Sequence, residues 1–467
     1  MQFRDRLYQI GGTEGLQLVL PSNYLGELKT LPEDVLSAKA AIADALQSKY
    51  TKFSPGHNAE LLTLLLRTRL TQNLARLAPQ LKEEFEYIVA TEFPACDDWT
   101  PVKWHPFALR VITQLSGRAF VGPGINRQER WMDTSSNFAI HVFVAGAKLQ
   151  LFPEWVRPVI QYLVTDLAKI RCDIESAKAM IKPVLEERIR DLDVPSCQDA
   201  PDDMIQWLIE ALPEGERADV QTQAELQLVI AAASIHTTHG LLCECMYDLA
   251  AHQDIQEELR EEAYQVLEVD EGWGRKESMA KLKKMDSFMR EVQRLRGNIG
   301  QSVHPSPHPS TDTTGIPSPI KDALLTLPLV SFLRKVMQPI SLSDGTQLPV
   351  GTRVVAPLAG IAHDERFFPN PDRFDPLRFY RLRQESAEAN NRMQFTSIDD
   401  TYVNFGAGRH ACPGRFFASD VIKLVLARFV LDYHVRLRPG EGRPKPKSIV
   451  MTKSPSSNAV LEFRRRS

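Results

Sequence analysis

Between Leu226 and Cys243 the chain carries no Lys, Arg, Asp or Glu. The stretch from Ala224 to Ala250 reads as one long helix, apolar on nearly every side. A helix of that kind is not a surface helix, because a surface helix keeps a polar face toward water. It has to run through a large core, and 467 residues that are 43% hydrophobic and 25% charged can supply one. No stretch reaches about 18 uninterrupted apolar residues, the length that a membrane span asks for. A net charge of −3 gives no reason to expect nucleic acid as a partner.

The six cysteines (96, 172, 197, 243, 245 and 412) have no framework spacing. Cys243 and Cys245 lie two apart with no matching Cys or His pair to complete a zinc site. Most therefore read as reduced core residues of a cytosol-facing protein. Cys412 stands in different company, in Phe405-Gly406-Ala407-Gly408-Arg409-His410-Ala411-Cys412-Pro413-Gly414. Val403 to Phe405 read as the end of an extended segment, and Gly406 and Gly408 allow a flat ligand to approach the main chain. Pro413 suits the first turn of a helix. From Arg415 onward Phe416, Val421, Leu424, Val425 and Phe429 recur at helical spacing. Cys412 is thus expected at a helix mouth, where dipole and free amides favour the thiolate. A thiolate aimed into a dry pocket can ligate haem iron. The bland alternative is a buried free cysteine in a glycine turn.

This stretch resembles the haem-binding loop of the cytochromes P-450, F-x-x-G-x-R-x-C-x-G. Phe405, Gly408, Cys412 and Gly414 match at every spacing, while His410 stands where the arginine is usual, one place after Arg409. The wording R-H-A-C-P-G-R-F-F-A resembles the filamentous-fungal branch that serves secondary metabolism. The resemblance runs from about Gly15 to Phe463. It implies one catalytic domain over residues 1–467, mainly α with a small β-sheet region (α+β). It also implies haem b with Cys412 as the axial ligand to iron. The implied activity is a monooxygenase that puts one atom of O2 into a hydrophobic small molecule such as a terpenoid, polyketide or alkaloid. Electrons would come from NADPH through the cytochrome P-450 reductase, at the cytosolic face of the endoplasmic reticulum membrane. Arg409, Arg415 and Lys423 would offer that reductase positive charge.

Further motifs fall in the order the family expects. In the long helix, Ala233-Ser234-Ile235-His236-Thr237-Thr238 resembles the distal [A/G]-G-x-[D/E]-T-T. Thr237 matches the proton-delivery threonine and Thr238 its neighbour, Ser234 replaces the glycine, and His236 replaces the acid. Two readings of His236 stand side by side: a proton relay, since imidazole titrates near neutrality, and a satisfied core side chain. Glu291 and Arg294 share a face of a helix spanning Asp286 to Arg296, and E-x-x-R is the family's helix pair. With Arg373 of Pro371-Asp372-Arg373-Phe374 they would form a buried structural triad. Asp344-Gly345 signals a hairpin within Ser341 to Pro357. Just upstream, Arg334 would meet a haem propionate, as would His410. The family's W-x-x-x-R motif is missing around Leu61 to Leu77. Phe143 to Pro158, with Phe152 and Trp155, reads either as core or as the membrane-facing surface near the substrate channel.

Two features depart from the family. Met1 to Arg6 is already polar and Gly15 to Asn23 looks like sheet strands, so the N-terminal membrane anchor is expected to be missing, with no transmembrane helix in this chain. Arg294 and Arg334 lie further apart than a single loop needs, and the excess, 301–330, begins rich in Pro, Ser and Thr. That segment reads as a disordered insertion loop or as sequence retained from an intron, and the second is preferred. Two rival functions follow from these departures: a haem-poor pseudoenzyme, or a haem-thiolate isomerase or binding protein that does not activate O2.

Overall fold

Asp219 starts the helix that the charge-free stretch demands, its carboxylate accepting from the amides of Gln221 at 3.2 Å and Thr222 at 2.9 Å. The computed structural model describes residues 6–12, 15–192, 200–273, 275–297, 332–449 and 452–466. In chain order its longer helices are α1 (Leu74–Glu92), α2 (Trp104–Phe120), α3 (Glu129–Gln150) and α4 (Thr165–Asp191). They continue with α5 (Val220–Ala251), α6 (Gln253–Ala263), α7 (Lys283–Arg296) and α8 (Arg415–Asp432). Among the described residues only α5 is long and apolar enough to cross a membrane, but 78% of its apolar window is buried inside the protein. It is a core helix packed against α2, α3 and α4. The expected 301–330 segment lies outside the described residues.

The strands are few and short. A five-stranded sheet has the order β1 (Tyr8–Gly12), β2 (Gly15–Val19), β8 (Arg353–Val355), β5 (Leu333–Val336) and β3 (Leu36–Ser37). Only β2 and β8 run parallel in it. A second sheet sets β12 (Val460–Arg465) between β4 (Thr100–Lys103) and β9 (Tyr433–Leu437). The Asp344-Gly345 turn, with Gly345 at φ +87°, joins β6 (Ile340–Ser341) to β7 (Gln347–Leu348) as the sequence predicts. A small hairpin of β10 (Lys447–Ile449) and β11 (Thr452–Ser454) completes the set.

Two devices fix α8, and with it the cysteine loop at its start. At its far end Phe429 sits in an aromatic cluster, with ring centroids 5.0 Å from both Phe93 and Trp104 and 5.6 Å from Phe463. Edge-on rings of this kind add about 0.5–1.5 kcal/mol per pair to their burial. In its middle, buried Lys423 lies 2.6 Å from Asp286 of α7, and Arg383 donates to the other oxygen of that carboxylate at 2.9 Å. Lys423 also donates to the Met279 carbonyl at 3.0 Å. The positive charge expected of Lys423 at a docking surface is therefore spent inside the protein.

Removing one partner of a buried ion pair costs about 3–5 kcal/mol, and here Arg383 would still meet part of the Asp286 charge, which puts the loss at the lower end. Lys423→Met should lower the unfolding free energy in urea by about 3 kcal/mol, whereas Met in place of exposed Arg409 should change it by less than about 0.5 kcal/mol. Equal stabilities would contradict the assignment of Lys423 to the core.

Candidate haem-thiolate site

Cys412 precedes α8 by a short turn. Tyr402 makes an isolated bridge with Asp399, and Val403 to Phe405 then lead into a turn rather than a strand, Gly406 N donating to Val403 O at 2.9 Å. Cys412 N donates to Phe405 O at 2.7 Å, which closes the loop. Gly406 and Gly408 have φ of +81° and +59°. A Cβ on Gly408 would fall 2.3 Å from the Lys29 carbonyl oxygen, so no larger residue fits there. Phe405 packs edge-on against Phe395 at 5.1 Å. Gly414 is the N-cap of α8, so Pro413 sits just outside the helix instead of in its first turn. Burial pushes the Cys412 thiol up, and the amides of Gly414 and Arg415 and the Arg415 charge only partly oppose this. The helix mouth does act in the expected direction, but burial outweighs it.

Beside the loop lies a cationic corner. Arg334 on β5 is buried, stacks over Phe332 at 4.5 Å and uses Nη1 on the Leu333 carbonyl at 2.8 Å. Its Nη2 is buried with no hydrogen-bond partner. Burial lowers its pKa to about 10. His410 is lowered by burial and then by the Arg334 charge, so the two side chains share one environment. His410 Nε2 approaches Glu33 Oε2 at 2.9 Å without the alignment of a hydrogen bond. A buried guanidinium nitrogen without a partner is costly unless an anion meets it. The corner thus fits a carboxylate such as a haem propionate. Arg67 went unnoticed in the sequence because no tryptophan marks it. It lies in a π-helical turn, Leu66–Leu70, and donates to the Arg409 carbonyl at 2.6 Å. Irregular turns of this kind concentrate at functional sites.

On α5 the core is interrupted where the sequence pointed. Ala233 is exposed and Ser234, His236 and Thr237 are half-buried, while the flanking residues are packed. Thr237 Oγ1 donates to the Ala233 carbonyl at 2.9 Å and reaches that of Ser234 at 3.2 Å. Ala233, Ser234 and Thr237 share one face by helical spacing. Thr238, the next residue, is buried in the core, so its hydroxyl is less accessible than that of Thr237. His236 points elsewhere too: its Nε2 lies 2.7 Å from the Ser136 carbonyl on α3, and burial lowers its pKa.

The structural triad forms with one member changed. Arg294 grips Glu291 with Nε and Nη2, both at 2.8 Å, and both residues are buried. The third member is Arg378, whose Nε donates to Glu291 Oε1 at 3.2 Å. Arg373 is exposed and contributes only its backbone carbonyl, which accepts from Arg378 at 3.1 Å. The sequence carries P-x-R-F twice, at Pro371–Phe374 and Pro376–Phe379, and the second is the one that folds inward. Arg378 also holds the Pro369 and Asn370 carbonyls, so the segment wraps around its guanidinium.

The sequence profile of the family described as Cytochrome P450 matches residues 128–308 and 320–461. This chain belongs to the cytochrome P450 family. The cytochrome P450 monooxygenase olcJ of Penicillium canescens is 34% identical over 99% of this chain and 82% of its own length. The cytochrome P450 monooxygenase braC of Annulohypoxylon truncatum is 33% identical over 95% of this chain and 82% of its own. The ent-kaurene oxidase P450-4 of Gibberella fujikuroi is 28% identical over all of this chain and 86% of its own. Retinoic acid-bound cyanobacterial CYP120A1 superposes with a TM-score of 0.69 at 16% identity, covering 98% of this chain and 92% of that one. Such a likeness shows the fold, which is the P450 fold. The chain is an oxidoreductase of the P450 monooxygenase class, and its family implies haem with cysteine thiolate ligation.

Arg378→Ala should leave Glu291 half-paired and cost about 3 kcal/mol or more, with haem content falling alongside, whereas Arg373→Ala should stay within about 0.5 kcal/mol. Thermal melts and haem absorbance per protein would check both. Gly408→Ala should reduce haem retention, because a methyl there collides with the Lys29 carbonyl.

Proposed function

We propose that this P450 oxygenates a hydrophobic, terpenoid-like small molecule in fungal secondary metabolism. The overall reaction joins substrate, O2, NADPH and a proton to give oxygenated substrate, water and NADP+. Haem, when bound, supplies the iron at which O2 is activated. Cys412 would be its thiolate ligand, and Arg334, with His410, would hold its propionates. The observation that carries the assignment is the loop itself: a closed turn around Cys412 beside a buried guanidinium nitrogen that lacks a partner. Thr237 keeps its hydroxyl proton on helix carbonyls at the interruption of the core. It can turn that proton outward at the cost of about one hydrogen bond. The apolar Ala233 beside it and the likeness to an ent-kaurene oxidase support a hydrocarbon-like substrate.

Electrons would come from NADPH through a P-450 reductase, with exposed Arg409 as a contact. Arg415 is a weaker candidate, since its Nε is committed to the Thr396 carbonyl at 3.1 Å. A place on the cytosolic face of the endoplasmic reticulum is supported by the stretch after α3. Trp155, Tyr162 and Leu163 are 81%, 84% and 74% exposed there, an apolar patch suited to a lipid surface. Residues 301–330 we read as retained intron sequence. The family profile matches up to 308 and again from 320, so what supports extra sequence here is the stretch 309–319 alone.

The reduced carbon-monoxide difference spectrum of the purified chain should show the red-shifted haem-thiolate band, and Cys412→Ala should abolish it. A native protein without that band would favour the haem-poor reading instead. With reductase, NADPH consumption should rise when a diterpene hydrocarbon is added; binding without consumption would favour the isomerase or binding reading. Transcripts sequenced across codons 297–332 should lack most of the 301–330 segment, and a transcript population that uniformly carries it would make the segment a true insertion.

A further inference from the structure

His236 and Thr237 are neighbours in sequence, yet the structure gives them different surroundings. Thr237 shares the open face with Ala233 and Ser234. His236, about 100° further round the helix, reaches α3, where its Nε2 sits 2.7 Å from the Ser136 carbonyl oxygen. A carbonyl only accepts, so Nε2 carries the hydrogen. Protonating the ring would leave that hydrogen in place, so the bond survives in either charge state. Burial favours the neutral form. The carbonyl's first lone pair serves α3 itself, and the imidazole takes the second. The Ser136 hydroxyl is turned back onto Met132 O at 2.7 Å and does not compete for the ring.

The helix that His236 grips does not stand alone. On α3, Arg130 Nε donates to Ser176 Oγ of α4 at 2.7 Å, and Thr134 reaches the same hydroxyl at 3.2 Å. One turn beyond Ser136, His141 Nδ1 lies 2.6 Å from Asp173 of α4. These bonds make α3 and α4 one body, with the exposed Trp155, Val159, Tyr162 and Leu163 between them. The bond from His236 is a polar tie between that body and the core helix.

We propose that His236 is a positioning residue: it fastens the α3–α4 pair to α5 through the Ser136 carbonyl, and so sets how readily α3 lifts from α5 beside the open stretch that bears Thr237. The consequence for this oxygenase is control over how ligands enter and leave that stretch, not proton delivery. This second step rests on the function proposed above, whereas the tie itself does not.

The test uses the full-length haem-loaded protein with His236→Phe, which keeps a ring but loses the donor, and His236→Gln, which keeps a donor near Nε2. Hydrogen exchange read by mass spectrometry should rise roughly 2- to 10-fold in peptides covering 136–142 of the Phe protein, the equivalent of one net hydrogen bond. Exchange in α8 should stay unchanged, and the Gln protein should lie close to the parent. Clotrimazole, a bulky azole that binds haem iron, should associate and dissociate faster in the Phe protein. Unchanged exchange in α3 with unchanged clotrimazole rates would overturn the proposal, all the more if NADPH oxidation were diverted to peroxide, as a lost proton relay predicts. If the parent lacks the haem-thiolate band, the function proposed above fails while the exchange measurement still decides the tie. Should the Phe protein not fold, His236→Ala is read against the same outcomes.

Discussion

Glu291 is a fully buried carboxylate, and much of the site depends on how its charge is met. Desolvating it alone would cost several kcal/mol. Two guanidiniums and the Asp375 amide, at 3.1 Å, surround it. The two arginines then spend their remaining donors on the carbonyls of Pro369, Asn370, Pro371 and Ala362, which are loop or helix-end groups in need of partners. The result is a loop folded around a salt bridge. Next to it Arg290 repeats the device, lying between the rings of Phe379 at 4.5 Å and Tyr402 at 4.1 Å and donating to the Arg392 and Gln394 carbonyls. The irregular chain from 369 to 405 thereby gains a rigid inner lining of arginine, and it delivers Cys412 to a fixed place.

The parts of this arrangement that sequence could reach were those with a local physical signature. A helix without charge had to be buried. Glycines just before a run of apolar residues at helical spacing had to make a tight turn. Glu291 and Arg294, three apart, had to share a face. What sequence missed depended on tertiary choice. Both P-x-R-F copies have the same local grammar, and only packing decides that Arg378 turns inward while Arg373 meets water. Lys423 looked like a surface charge because a lysine on a helix usually is one, but Asp286 and a carbonyl were waiting across the core. Nothing in the sequence showed that Thr238 would be buried while Thr237 stayed half-exposed.

The distal helix shows the same limit from the other side. A histidine in place of an acid suggests proton chemistry by residue type alone. Its role depends on what lies within hydrogen-bond reach, and here that is a main-chain oxygen 100 residues earlier. Residue type proposes a chemistry, and geometry assigns it.

The contact between Gly408 and the Lys29 carbonyl joins positions 379 residues apart, reinforced by Arg409 donating to the Thr30 carbonyl at 3.3 Å. A pairing at such sequence distance has to pay its loop-closure entropy before it returns anything. The ligand loop therefore reaches its final shape only after nearly the whole chain has been synthesised and the segment around Lys29 has folded. Cofactor capture is then a late event in the life of the polypeptide. Any delay in joining the two ends would lengthen the time that apolar surface stays open to aggregation.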